Sequence, residues 1–401
     1  MRRTTFSTSI ALVSFLATAA TAVCSPKKII IETDFYAFSD DPNAIGMANA
    51  FMSWGELEIL GIISSINSEY ASPAIDVIDT FYGNGDVPLA VRRPLNDSTG
   101  VWEYSDYPDY VIPLIEHFYE DVGSGYNTSY PVPLYRKLLA EAPDNSVTIA
   151  MIGFLDNIYD LLLSKPDNYS SLSGLDLVKA KVVELVMQAS PTTPSYNLDH
   201  VNGTYAEYVL SVWPNTITFV PGSIGSATKC CVALTTELDI STNPIAFTWN
   251  ITVGYNESYK SWDPTAMLYV ARGLGNWYIW NETTEEGYAV EANATNGYTY
   301  IDTTKKSPAP QRAVEIAPTY SNTSLADLIQ SILLWTPGEA NPADSVSYCN
   351  SASTTTNTTA NATASSASLS VTAYTGAAGR QIVPAWGVSA SVGVLLACVL
   401  L

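Results

Sequence analysis

Short apolar runs alternate with segments of helical periodicity along most of this chain, and that alternation limits the fold more than any other feature. "KKIIIET", "ELEILGIIS", "VPLAV", "SVTIAMI", "KVVELVM" and "TITFV" read as strands. "SPAIDVIDTFYG", "PLYRKLLAEA", "DNIYDLLLS" and "GTYAEYVLSV" lie among them and read as helices, as does the later "DPTAMLYVARGLG". Pro133 and Pro264 stand near the starts of two of these helices, and Gly83 and Gly273 near the ends of two. Proline fixes φ at a helical value and glycine turns the chain away, so both suit helix boundaries. Apolar strands separated by helices predict a parallel sheet covered on both faces. The expected fold is α/β, a three-layer sandwich with a mostly parallel central sheet. Ligands of such sheets bind at the carboxyl ends of the strands.

The first strand ends unusually. In "KKIIIETDFYAFSDD" it runs into Glu32, Asp34, Asp40 and Asp41. Like charges packed so closely repel one another unless a divalent cation sits among them. Calcium takes six to eight oxygen ligands in irregular geometry, which suits an acid-rich loop. Read alone, "FSDD" is a loop with a helix N-cap, since Ser and Asp favour that position. Its place after a strand, with Asp34 ahead of it, points to a site.

The formal net charge of −21 makes a nucleic-acid polymer an unsuitable partner and leaves small neutral or cationic ligands open. The two histidines, His117 and His200, and the lack of any C-x-x-C give no zinc-ligand spacing. His117 reads as an ordinary helix residue and His200 as a solvated loop residue.

The two ends read as processing signals. After "MRR", residues 6 to 22 are apolar and small and end in an A-x-A pattern at Ala20 and Ala22, so residues 1–22 are expected to be a secretory signal peptide. The apolar tail 388–401 is short for a spanning helix, which needs about 20 residues. Small residues Gly376, Ala377 and Ala378 precede it, so 377–401 resembles a GPI attachment signal that is removed, with Gly376 as the attachment residue. A transmembrane tail from near Ile382 is the alternative. Residues 350–376 are a Ser/Thr-rich stalk with little apolar surface to bury. Eleven N-x-S/T sequons, among them Asn96, Asn127 and Asn281, fit a secreted glycoprotein. The expected location is the cell surface, anchored to plasma membrane or wall, with one domain over 23–349. Its cysteines, Cys24, Cys230, Cys231 and Cys349, allow three pairings. A Cys24–Cys349 bridge leaves Cys230 and Cys231 as a vicinal pair, the crossed pairings avoid that, and sequence leaves all three open.

The opening "KKIIIETDFYAFSDD" resembles the N-terminal signature of the inosine–uridine-preferring nucleoside hydrolases, D-T-D-x-G-x-D-D in compact form, with a loop two residues longer. "LEILGIISSINSEYASPAIDVIDTFYGNGDVPLAV" is similar to the family's second strand, Asn-bearing loop, helix and D-x-P-x strand. "SVTIAMIGFLDNIYDLL" resembles its G-P-L-T-N segment, "ELVMQASPTTPSYNLD" its M-G-G…E-x-N segment, and "SWDPTAMLYVARGLG" its late Asp-bearing segment. The five stand in the family's order over about residues 27 to 275, and the remainder is expected to be an extension outside the resemblance.

The resemblance implies a calcium-dependent enzyme that cleaves the N-glycosidic bond of ribonucleosides to base and ribose. It makes Asp34 both calcium ligand and general base, and Asp41 and Asp263 further calcium ligands. Asp156 replaces a Thr whose main-chain carbonyl ligates the metal, a role that a carbonyl keeps whatever the side chain. Asp40, Asn67 and Asn197 fall at ribose-hydroxyl positions. Four positions depart from the pattern: Glu32 for the first Asp, Ser195 for a ribose-contacting Glu, Trp262 where some members have a His that protonates the leaving base, and Asp156 itself. Ser195 and Trp262 motivate one rival, a surface glycoprotein of the same fold that binds nucleoside or ribose without turnover, and the stalk and sequons alone suggest another, a structural wall glycoprotein. A homo-oligomer is left open.

Overall fold

The structure is a computed structural model and describes residues 25–36, 38–96, 109–200 and 202–342. The expected signal peptide, stalk and anchor signal, with Cys24 and Cys349, lie outside the described residues. Twelve strands are described: β1 (Lys27–Thr33), β2 (Leu57–Ser64), β3 (Leu89–Val91), β4 (Val147–Met151), β5 (Val182–Gln188), β6 (Thr216–Val220), β7 (Lys229–Cys230), β8 (Tyr259–Lys260), β9 (Tyr278–Trp280), β10 (Tyr288–Ala292), β11 (Thr299–Lys306) and β12 (Gln311–Ile316).

Eight of them form one sheet in the order β3-β2-β1-β4-β5-β6-β12-β9. Every pairing is parallel except β12 with β9. The α/β expectation is met. Alternation along β1 explains the layering: Ile29 and Ile31 enter one buried cluster, and Ile30 enters the other. On the first face pack the helices Asp40–Ser53, Ala71–Phe81, Trp262–Arg272 and Asn322–Leu333. On the second pack Pro131–Glu141, Asp156–Leu163, Gly174–Lys181 and Gly203–Val212. Strands buried on both faces are continuously apolar, which is why they were legible.

The chain beyond residue 275, outside the resemblance, contributes to the sheet, because β12 pairs with β6 and β9 pairs with β12. β10 and β11 form a separate antiparallel hairpin. Cys230 and Cys231 are bonded to each other, so the crossed pairings do not form, while Cys24 and Cys349 lie outside the described residues. His117 accepts its expected role: its Nε2 lies 2.9 Å from the Ser241 carbonyl and its ring stacks on Phe247. Among the described residues no helix is long and apolar enough to cross a membrane.

β1 and β4 are neighbours, and the chain leaves β1 toward β2 on one side and enters β5 from β4 on the other. Strand order therefore reverses between them, and the crevice outside such a switch point is where open α/β sheets bind ligands. Asp34 follows β1 and Gly153 follows β4 at that crevice. A Cβ on Gly153 would collide with the Asp34 nitrogen and the Thr33 carbonyl carbon, so only glycine lets the two strand ends approach so closely.

Candidate active site

Three buried carboxylates meet at this crevice. Asp40 and Asp41 open the helix Asp40–Ser53, and Asp263 sits in the first turn of Trp262–Arg272. The two helices pack against each other, which brings their N-termini together. Carboxylate oxygens of Asp40, Asp41 and Asp263 lie within 4.8 Å of one another. Helix N-termini favour anions, by about 0.3–1 kcal/mol each in exposed settings, too little to cancel burial of three charges together.

The carboxyls record that cost. Burial pushes Asp40 up to about 6, although backbone N–H groups of Asp263 and Asp41 and a hydrogen bond with the Asp263 carboxyl act against the rise. Asp41 is held well above its ordinary value, first by burial and then by repulsion from Asp34 and Asp40. Asp263 is raised by burial and then by Asp40, Asp41 and Asp34. Asp34 therefore belongs to the same electrostatic cluster, and it is buried at the cavity wall. A divalent cation would reverse each of these effects, and hard carboxylate oxygens are the donors calcium takes. The residues present fit such an ion.

The strand end beneath Asp34 is braced. Thr33 donates its hydroxyl to Asp41 Oδ1. Ser65 donates both N–H and hydroxyl to the Thr33 carbonyl. Glu32 points the other way along the pleat, fully buried, and accepts from Tyr135 Oη and Asn157 Nδ2, each at 2.7 Å. Its carboxyl is raised well above the ordinary value by burial and by Asp156.

A cavity of about 860 Å³ opens over the cluster. Asp34, Asp40, Asp41, Asp263 and Asn197 all line it. Asn197 is locked: its Nδ2 donates to the carbonyls of Ile152 and Gln188 and to Gln188 Oε1. One expected residue is placed elsewhere, and another keeps its side chain apart from the cluster, which leaves only its main-chain carbonyl for the expected role. Asn67 donates Nδ2 to the Pro94 carbonyl at 3.1 Å and is not among the residues of this wall. The Asp156 carboxylate pairs with Arg92 Nε at 2.5 Å and is not part of the three-carboxylate group.

Sequence reasoning overlooked several wall residues. Gln188 ends β5, so the strand-end rule had a signal for it. Phe38 packs edge-on to Trp262, with ring centroids 6.4 Å apart. Glu315 comes from β12, which the sequence did not mark as a strand. Trp262 is fixed from afar, since its Nε1 donates to Ser226 Oγ at 2.8 Å and a Cβ on Gly225 would collide with its Cα.

Neither a protein-family profile nor a curated protein sequence matches this chain. Solved structures do. A plant nucleoside hydrolase, PpNRh1, superposes with a TM-score of 0.51 at 15% identity, over 77% of this chain and 98% of that one. The fold is nucleoside hydrolase-like. The type III effector protein XopQ, solved with adenosine diphosphate ribose, superposes at 0.52 and 12% identity over 77% and 95% of the two chains. The effector protein XOO4466 does so at 0.50 and 12%, over 77% and 94%. Identity this low speaks to the nucleoside hydrolase-like fold alone. The full-length coverage of the matched chains agrees with the placement of β9 and β12 inside the sheet.

Proposed function

We propose that this protein is a calcium-dependent N-ribohydrolase that cleaves ribonucleosides to base and ribose. The observation that carries the reading is the convergence of Asp34, Asp40, Asp41 and Asp263 on one cavity at the strand-order switch. Asp34, Asp41 and Asp263 would hold the ion, with the Asp156 main-chain carbonyl as a further donor. When bound, the cation supplies neutralisation of the carboxylates and acidification of a ligated water. Asp34 accepts the proton of the attacking water. Asp40 and Asn197 grip the ribose hydroxyls, and fixing the sugar contributes several kcal/mol through orientation. The surrounding carboxylates stabilise the positive charge that grows on the ribosyl ring as the N-glycosidic bond breaks. The sequence signals at both ends extend this to a secreted, GPI-anchored glycoprotein acting outside the cell.

A second reading has support of its own. Asn67 is turned away from the wall and Trp262 stands where a proton donor is expected, so a protein that binds a ribose-bearing ligand without turnover is the rival. The plant nucleoside hydrolase favours the enzyme among neighbours, and the effector solved with adenosine diphosphate ribose fits the binder. Purified protein incubated with inosine, uridine and adenosine, with and without EDTA, separates them. Ribose release that stops on chelation and in Asp34→Ala supports the enzyme. Nucleoside binding without ribose supports the rival.

A further inference from the structure

The bond between Cys230 and Cys231 joins sequence neighbours, so it closes the shortest loop a disulfide can and removes the least entropy from the unfolded chain. Loop closure therefore gives this bridge little to contribute to stability, and its surroundings point to another use. Both cysteines are buried, and Cys231 stands at φ +83°, a value that residues with a side chain rarely adopt. The corner they form is held on one side by the late part of the chain. The Cys231 carbonyl accepts from the Leu234 N–H at 3.2 Å, and the Ala233 N–H donates to Gln330 Oε1 at 3.1 Å, on the helix Asn322–Leu333.

On its other side the corner meets the start of the helix that carries Asp263. β7 pairs with β8, with Lys229 opposite Lys260 and Cys230 opposite Tyr259. Directly after β8, Ser261 donates its hydroxyl to Cys230 Sγ at 3.0 Å and its N–H to the Gly225 carbonyl at 3.1 Å. Ser261 is the N-cap of Trp262–Arg272, yet its side chain makes no capping bond. A serine there ordinarily accepts from the second or third N–H of its helix. The third residue is Pro264, which has no N–H, and the second is Asp263. With the Ser261 hydroxyl turned to the sulfur, the Asp263 N–H is left to the Asp40 carboxyl, to which it donates.

We propose that the Cys230–Cys231 disulfide is a positioning element for the cation site, setting through Ser261 where the helix Trp262–Arg272 begins and hence where Asp263 meets Asp40 and Asp41. This rests on the cation-dependent reading above and deepens it. Without the bridge the corner is free to leave the left-handed φ at Cys231, and the sulfur that faces Ser261 loses its fixed place. The Ser261 hydroxyl then turns back to its own helix and competes with Asp40 for the Asp263 N–H. Sulfur is a weak acceptor, so the loss of its contact changes direction more than stability.

Substitution tests this better than a reductant, because both sulfurs are buried. The parent protein, the Cys230→Ala/Cys231→Ala variant, Ser261→Ala and the combination of all three are titrated with calcium by calorimetry and melted in EDTA. Removing the bridge should weaken calcium binding about 10–100-fold, the range for losing a group that orients a metal ligand. Ser261→Ala loses the tether but brings no competing hydroxyl, so it should weaken binding less, by about tenfold, and keep its Tm in EDTA within about 2 °C of the parent. The triple variant should bind calcium better than the double, because the competitor is gone. A triple variant weaker than the double, or a fall in the Tm of Ser261→Ala that matches its fall in affinity, would make the bridge a structural brace and overturn the positioning role. Unchanged calcium affinity in Ser261→Ala would overturn it too, even where the cysteine variants failed to fold. A parent that binds no calcium would remove the cation site itself, and the positioning role with it.

Discussion

Replacing Asp263 by asparagine should stabilise the cation-free protein at neutral pH while removing its response to calcium. The reasoning starts from the raised pKa of Asp40, about 6 against an ordinary 3.8. Each unit corresponds to 1.36 kcal/mol, so ionising this carboxyl in the folded protein costs about 3 kcal/mol relative to the unfolded chain. The folded state holds its proton more tightly. Cation-free stability is therefore greatest below the ordinary carboxylate range, falls as pH rises from 3.8 toward about 6, and stays low above. Asp41 and Asp263 shift in the same direction. The Asp263→Asn amide would keep the side-chain shape, offer an N–H to Asp40, and remove one repelling charge. We expect a gain of about 1–3 kcal/mol in EDTA at neutral pH, a rise in Tm of several degrees. In calcium the order should invert, because the parent gains about 2.7 kcal/mol at a hundredfold excess over Kd and the variant has lost a ligand. Thermal melts in EDTA and in calcium, at neutral and acidic pH, read all of this. A variant that melts below the parent in EDTA at neutral pH would refute the reasoning, as would a parent indifferent to calcium.

Three other substitutions probe the frame around the site. Gly153→Ala drives a methyl into the Asp34 nitrogen and should lower ribose release about a hundredfold with circular dichroism unchanged, since a shift near 1 Å costs that much. Asp156→Asn breaks the pair with Arg92 but keeps the main-chain carbonyl, so calcium affinity by titration calorimetry should stay within a few-fold, and a loss beyond tenfold would make the carboxylate itself a ligand. Arg272→Met leaves Glu56 buried without the two 2.8 Å hydrogen bonds it now accepts and should cost about 3–5 kcal/mol by urea unfolding, against under 1 kcal/mol if the pair were incidental.

Much of this was legible in the chain because the middles of β1 to β6 are buried on both faces and are mostly apolar. β12 was not. Its sequence QRAVEI is interrupted by Arg312, whose guanidinium lies 3.9 Å over the Trp280 ring, and by Glu315, which faces the cavity. A strand beside an edge carries such residues without loss, and their polarity hid it. The acids stood out because clustered charge at a strand end has few inexpensive explanations. Asn67 looked equivalent to Asn197 in sequence, but side-chain direction depends on loop geometry that no local pattern encodes. The commitment of Trp262 to Ser226 is likewise a contact between distant segments.

The site joins opposite ends of the folding problem. Asp34, Asp40 and Asp41 leave the ribosome early, and Asp263 emerges only after β1 to β6 have been made. Until the late helix docks, the early carboxylates lack their third companion, and a nascent or truncated chain has no complete ion cage. Under the proposed hydrolase reading, a chain that stops before the helix Trp262–Arg272 would lack one of the carboxylates proposed to hold the cation.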